Sequence, residues 1–182
     1  VYSGRPHVVM MCTPGNLEDL AYGFSLTEGI VASAAEIERV ELATHARGAE
    51  LAITIPVEAA ARLAQRTRAL AGRTGCGLCG VEAIDEAVRA IRPVHSSLAV
   101  SESALWRAGE SLEAHQPLNR ETRTVHAAAW ARRDGELVVT REDVGRHNAL
   151  DKVVGALARA GTDASTGLLI VTSRASLERV QK

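Results

Sequence analysis

Two cysteines separated by two residues, in the run Gly75-Cys76-Gly77-Leu78-Cys79-Gly80, are the most reactive pattern in this chain. The flanking glycines let the backbone turn tightly and leave both sulfurs open to a partner. Thiolate is the reactive form of cysteine, and Arg73 together with the peptide N–H groups of a helix entered at Val81 would favour it electrostatically. The spacing admits three chemistries: disulfide exchange, half of a zinc site, or persulfide chemistry in which one cysteine carries a transferable sulfur and the other assists its delivery. Disulfide exchange of the thioredoxin kind places the pair after a strand, whereas a helical stretch precedes it here. Zinc would need two more ligands from Cys12 or from His7, His45, His95, His115, His126 and His147, and no second CxxC or closely spaced His pair supplies them. Two structural cysteines packed as small hydrophobes are the simpler alternative.

A second constellation is Arg141-Glu142-Asp143-Val144-Gly145-Arg146-His147-Asn148-Ala149-Leu150-Asp151-Lys152, which crosses a strand-to-helix transition. Such a junction aims backbone N–H groups outward, and Arg146, His147 and Lys152 would add positive charge, so a phosphate-bearing ligand fits. The plainer reading is that Asp143 or Asn148 caps the helix while the charges form weak solvated pairs. His147 titrates near neutrality and is an acid or base only if it lies in a pocket. His126, between Val125 and Ala127 in an apolar stretch, suits a core or edge position better than catalysis, and Cys12 beside Met11 reads as core. The turn Ser173-Arg174-Ala175-Ser176 follows an apolar strand, where α/β sheets bind ligands, so Arg174 is either a phosphate contact or a solvated turn residue.

The elements that must position these groups follow from periodicity. Residues 7–13 form an apolar run ended by Thr13-Pro14-Gly15 and read as a buried strand. Asn16 offers an N-cap oxygen to a helix reaching roughly Ile30, weakened by Gly23 and Gly29. Residues 37–44 and 50–55 read as strands, Pro56 as a first helical position, and 57–70 as an Ala-rich helix. After the cysteine loop a helix resumes over 81–91, and Ser101 or Ser103 caps another through Trp106 and Leu112. Residues 125–131 and 136–140 flank Asp134-Gly135, a dipeptide favoured in type I′ hairpins. Helix over 149–160, strand over 167–172 and helix from Leu177 complete an α/β sheet covered by helices.

At 182 residues, with 46% hydrophobic and 24% charged residues, the chain has the makeup of one globular domain or one domain plus an appendage. A net charge of −1 and 3% aromatics supply neither the field nor the stacking platforms of a general nucleic-acid binder. No apolar run approaches the ~20 residues of a membrane span, and Val1 opens no signal-peptide pattern, so a cytoplasmic protein is expected. Three cysteines are an odd number in a chain large enough to fold without staples, which argues against a disulfide framework. The chain opens inside a strand-like run and stops within a helical pattern, so a fragment is expected.

Taken together, Cys12-Thr13-Pro14-Gly15-Asn16 leading to Leu20-Ala21-Tyr22-Gly23-Phe24 and Glu28-Gly29, the cysteine loop, the run from Glu142 to Lys152, and Thr172-Ser173-Arg174-Ala175-Ser176-Leu177-Glu178 with Val180-Gln181-Lys182 resemble one family across essentially the whole chain. It is the formate dehydrogenase accessory sulfurtransferase family, of the FdhD type. The resemblance implies a cytoplasmic protein with a cytidine-deaminase-like mixed sheet covered by helices: a smaller N-terminal α+β portion over 1–72, then the cysteine loop and α/β core over 73–182, truncated at the C-terminal end. It implies an enzyme that takes sulfur from a cysteine desulfurase and passes it to the molybdenum bis-(molybdopterin guanine dinucleotide) cofactor before that cofactor enters formate dehydrogenase. By the same resemblance Cys76 carries the persulfide, Cys79 supports transfer, and Asp143, Gly145, Arg146, His147, Asn148 and Arg174 lie near the cofactor. No bound metal is implied, and a homodimer is expected. The chain departs from the family at Thr122-Arg123-Thr124-Val125, where Thr-Gly-Gly is common before the histidine, and at Ser173, where glycine is usual. Two rival readings are a cofactor-binding chaperone that never touches sulfur and a zinc deaminase. The deaminase needs an H-x-E segment, and none of the six histidines is followed by x-Glu.

Overall fold

The computed structural model describes residues 1–70, 97–174 and 180. The cysteine loop with Cys76 and Cys79, the expected helix over 81–91 and most of the segment from Ala175 onward lie outside the described residues.

Two antiparallel sheets and five helices make up the described architecture. β1 (Arg39–His45) pairs β2 (Gly48–Thr54) as a hairpin, and a second sheet has the order β4-β3-β5, from β3 (His126–Arg132), β4 (Leu137–Asp143) and β5 (Gly167–Val171). The helices are α1 (Leu17–Thr27), α2 (Val57–Leu70), α3 (Glu102–Leu112), α4 (Pro117–Thr122) and α5 (Arg146–Arg159). Within both sheets every described strand pair is antiparallel. No helix among the described residues is long and apolar enough to cross a membrane.

β3 is the central strand because its residues are small and apolar on both faces. Ala127, Ala128, Ala129 and Ala131 are all fully buried. A strand covered on both sides carries a continuous apolar run rather than alternation. On one face Ala128 and Trp130 pack with Val139 and Val171 against Ala149, Val153 and Leu157 of α5. A second core joins Tyr2, Ala21, Ile30, Ile53, Ile55 and Leu63 beneath the β1–β2 hairpin. Helix α1 serves both, contributing Ala21 to the second core and crossing α5 on its other side. At that crossing the backbones nearly touch: a Cβ on Gly23 would sit 1.7 Å from the Asp151 carbonyl oxygen, and one on Gly155 1.9 Å from that of Asp19. Gly23, which weakens the helix on propensity grounds, is what lets the two helices meet.

The β3–β4 hairpin forms where Asp134-Gly135 predicts it, with a different turn. Only Gly135 has positive φ, at 88°, its N–H donates to Arg132 O at 2.9 Å, and Glu136 N–H donates to Asp134 Oδ1. A two-residue type I′ turn needs both central residues at positive φ; here one glycine in that region closes a longer turn. Ser101 caps α3 as expected, its Oγ accepting from Ala104 N–H at 3.2 Å. Pro56 stands just before α2, its carbonyl accepting from Ala60 N–H. Helix α5 begins at Arg146 rather than Ala149, and α1 ends at Thr27.

Two expectations at the N-terminal end are corrected. Residues 7–13 are not a strand: the backbone there pairs with no ladder, and Val9 and Met11 are fully or largely exposed. The end of this run bonds instead to side chains at the β4–α5 junction, which satisfies its polar groups without a partner strand. Asn16 occupies the N-cap position but with φ 57°, and its side chain makes no capping bond. A left-handed residue there turns the incoming chain sharply, so the side chain does not face the first helical amides.

Candidate functional site

Because β3 runs antiparallel to both neighbours, its first residues lie beside the last residues of β4 and β5. His126 is paired across from Asp143. On the other side Ala127 N–H donates to Thr172 Oγ1 at 2.9 Å, and Thr172 N–H returns to Ala127 O at 3.0 Å. One end of the sheet therefore gathers His126, the Asp143-to-Asn148 junction with the N-terminus of α5, and the Thr172-Ser173-Arg174 exit from β5. The segment holding Cys12 and Thr13 crosses the same end.

The junction is organised around a fully buried ion pair, Lys152 Nζ to Asp143 Oδ2 at 2.6 Å, with both side chains at 0% exposure. Buried charges are tolerated only when paired and hydrogen-bonded, and this pair is. Asp143 Oδ2 also accepts from Thr13 N–H at 3.0 Å, while Oδ1 accepts from Gly145 N–H at 2.8 Å and Asn148 Nδ2 at 3.0 Å. Lys152 donates to Thr13 O at 2.9 Å, with Glu142 O at 3.4 Å. Thr13 Oγ1 accepts from Val144 N–H at 3.1 Å, and Asn148 Nδ2 donates to Met11 O at 2.9 Å. A Cβ on Gly145 would lie 2.8 Å from Asn148 Nδ2, so glycine keeps this turn closed.

Lys152 thus has a different place from the one its position in a charged run implies. It points inward and neutralises Asp143, rather than outward as an anion ligand. The helical stripe could have revealed this, since Ala149, Lys152, Val153 and Ala156 fall on one face at i, i+3, i+4 and i+7, and all four are buried. Arg141 also turns away from the junction. Its Nε donates to Asp19 Oδ2 of α1 at 2.8 Å, while Arg159 of α5 donates to Asp19 Oδ1 at 2.6 Å and to Glu18. Hydrogen bonding to Asp19 raises the Arg159 pKa further. Glu142 accepts from Leu118 and Asn119 N–H at 2.9 and 2.7 Å, fixing the start of α4.

Cys12 is half-buried beside the ion pair, not in a core. Burial first, and the Asp143 carboxylate second, push its thiol pKa up, while Lys152 opposes them. It is therefore held protonated, the unreactive form. Gly145, Arg146, His147, Asn148 and Ser173 are half-buried at this end of the sheet, and Arg174 is exposed. Asp143 itself is sealed from solvent. A helix N-terminus with arginines around it and its nearest carboxylate already paired suits an anion. No group of three or more His, Cys, Asp or Glu among the described residues is placed to hold a metal ion.

Comparison with known proteins gives a consistent result. The chain is 53% identical over 182 residues to the sulfur carrier protein FdhD of Xanthomonas euvesicatoria pv. vesicatoria, covering all of this chain and 65% of that protein. It is 49% identical over 182 residues to the protein of the same name from Cupriavidus necator, covering 63% of it. The chain spans about two thirds of the length of these curated relatives, strictly 63–65%. The fold matches the crystal structure of a formate dehydrogenase accessory protein from Desulfotalea psychrophila at TM-score 0.67 and 22% identity, over 98% of this chain and 62% of that one. The FdhD/NarQ family model matches residues 1–182, and the chain belongs to that family.

Proposed function

We propose that this protein is a sulfur carrier that takes persulfide sulfur from a cysteine desulfurase and delivers it to the molybdenum bis-(molybdopterin guanine dinucleotide) cofactor destined for a formate dehydrogenase, in the cytoplasm. The observation that carries this reading is the gathering of the α5 N-terminus, Arg146, His147, Asn148 and Arg174 at one sheet end, in a chain about half identical to proteins named sulfur carriers. The cofactor is the substrate, and its guanine dinucleotide phosphates are the anions such an end suits.

In the first step the Cys76 thiolate attacks the outer sulfur of the desulfurase persulfide. The S–S bond to the desulfurase breaks, its cysteine leaves as thiolate, and Cys76 becomes the persulfide. In the second step the Cys79 thiolate attacks the inner sulfur of that persulfide. A Cys76–Cys79 disulfide forms, and the outer sulfur leaves as sulfide toward molybdenum. Two thiols are oxidised while the sulfane sulfur is reduced, so a dithiol reductant must reset the pair. Asp143 acts here by holding the junction, while Gly145, Arg146, His147, Asn148 and Arg174 face the cofactor phosphates.

Peptide mass analysis after incubation with a cysteine desulfurase and free cysteine tests the carrier step. The expected result is one added sulfur on the peptide containing residues 75–80, reversed by reductant and absent from a Cys76→Ser variant. No added sulfur on folded, reduced protein would overturn the reading.

A further inference from the structure

Every polar group of Thr13 is spent on the β4–α5 junction: its N–H on Asp143 Oδ2, its Oγ1 on Val144 N–H and its carbonyl on Lys152 Nζ. Asn148 adds Met11 O to the same clamp. Two side chains of α5 reach both halves, each bonding the carboxylate of β4 and the backbone of the incoming segment: Asn148, half-buried, and Lys152, which does so from a fully buried position and carries the charge that neutralises Asp143. Met11, on the clamped segment, and Val144, on the junction, present exposed apolar side chains.

We infer that Lys152 is a positioning residue for sulfur delivery, which fixes the segment 11–13 as a wall of the ligand-bearing sheet end. This rests on the sulfur-carrier reading. The clamp joins the segment 11–13 to the junction whose Gly145, Arg146, His147 and Asn148 are proposed to face the cofactor phosphates, and it involves no described group that accepts sulfur from a desulfurase. Its loss therefore slows delivery to the cofactor and leaves loading at Cys76 intact. A role confined to stability would lower the amount of folded protein and affect both steps alike.

The test uses two variants. Asp143→Asn/Lys152→Met removes the ammonium without leaving a lone buried charge, and Thr13→Val removes only the hydroxyl that Val144 bonds. Each is loaded with labelled sulfur by a cysteine desulfurase, then mixed with free sulfur-free cofactor, and the label appearing on the cofactor is followed with time. Loading to the wild-type extent with delivery slowed about tenfold or more in the double variant, and by less in Thr13→Val, is expected. Delivery at the wild-type rate by both folded variants would overturn the proposal. Hydrogen exchange at residues 8–13 separates the clamp from the carrier reading, since it needs no sulfur. Faster exchange there in both variants supports the clamp, and unchanged exchange overturns it. Wild-type protein that acquires no sulfur overturns the carrier reading instead.

Discussion

Replacing Gly23 with alanine puts the α1–α5 crossing under a load that can be worked from the structure. The added Cβ would lie 1.7 Å from the Asp151 carbonyl oxygen and 2.9 Å from Gly155 N. A close C···O contact is ~3.3 Å, so the helices must part by roughly 1.5 Å at this point. The obstacle is backbone, which no rotamer change can move. Overpacking costs ~1–3 kcal/mol and sometimes more, and the rigidity of both partners places this substitution at the upper end. Alanine returns ~1 kcal/mol through helix propensity, leaving about 2 kcal/mol of net destabilisation. For a chain of this length that lowers Tm by roughly 4–8 °C. Thermal and urea unfolding followed by circular dichroism would measure it. Gly15→Ala is the control, since nothing lies within 4 Å of a Cβ there and its φ is not positive. If Gly23→Ala proves as stable as Gly15→Ala, the helices are not in backbone contact and the placement of α5 has been misread.

Two further outcomes follow from buried polar groups. Asp19, 4% exposed at its side chain, holds Arg141 and Arg159, themselves 24% and 39% exposed. Breaking a fully buried pair costs ~3–5 kcal/mol, and partial solvation of both arginines reduces this to about 2 kcal/mol for Asp19→Ala in urea titration. A loss below about 0.5 kcal/mol would mean that the two arginines find water or other partners. Burial pushes the Tyr2 hydroxyl up from its usual 10.0 to about 12, against the lowering effect of its 2.8 Å hydrogen bond to Ser25. With the folded value above the unfolded one, the native state holds the proton longer. Tyr2 thus contributes stability that is complete below pH ~10 and declines at about 1.4 kcal/mol per pH unit until pH ~12. Tyr2→Phe should flatten that alkaline decline in urea midpoints measured across the window, and an equally steep decline would refute the assignment.

Local rules recovered the elements that local physics governs. The hairpin at Asp134-Gly135, the Ser101 cap and the Ala-rich helix after Pro56 each depend on neighbours within a few residues, and each is present. Residues 7–13 failed the same rules because an apolar run says nothing about whether a strand lies alongside to complete its hydrogen bonds. Here the end of that run is bonded to side chains 130 to 139 residues away in sequence, contacts no window can contain. Gly23 shows the same limit from the other side. Its cost to a helix is local and legible, and its purpose appears only where Gly155 faces it.

The site divides along a similar line. The composition of the run from Arg141 to Lys152 marked it as chemically loaded, but composition does not give direction. Arg141, Glu142, Asp143 and Lys152 turn out to bind elements of the protein to one another: α1, α4, the segment 11–13 and β4. Helical phase separates Lys152 from Arg146 and His147, since six residues along α5 place it on the stripe with Ala149 and Val153. A lysine on an apolar stripe needs a buried acid within reach. The candidates nearby in sequence are Glu142, Asp143 and Asp151, and the backbone N–H of Gly145 and Thr13 converge on Asp143 alone. Charge neutralised inside the junction lets its outer rim stay basic, which is the property an anionic substrate would use. The same reasoning predicts that charge-conserving exchange fails here. Lys152→Arg adds volume and a planar fork to a site with 0% exposure, so it should disrupt the junction although the charge is kept, and wild-type stability for Lys152→Arg in urea unfolding would show that the cavity is looser than the burial implies.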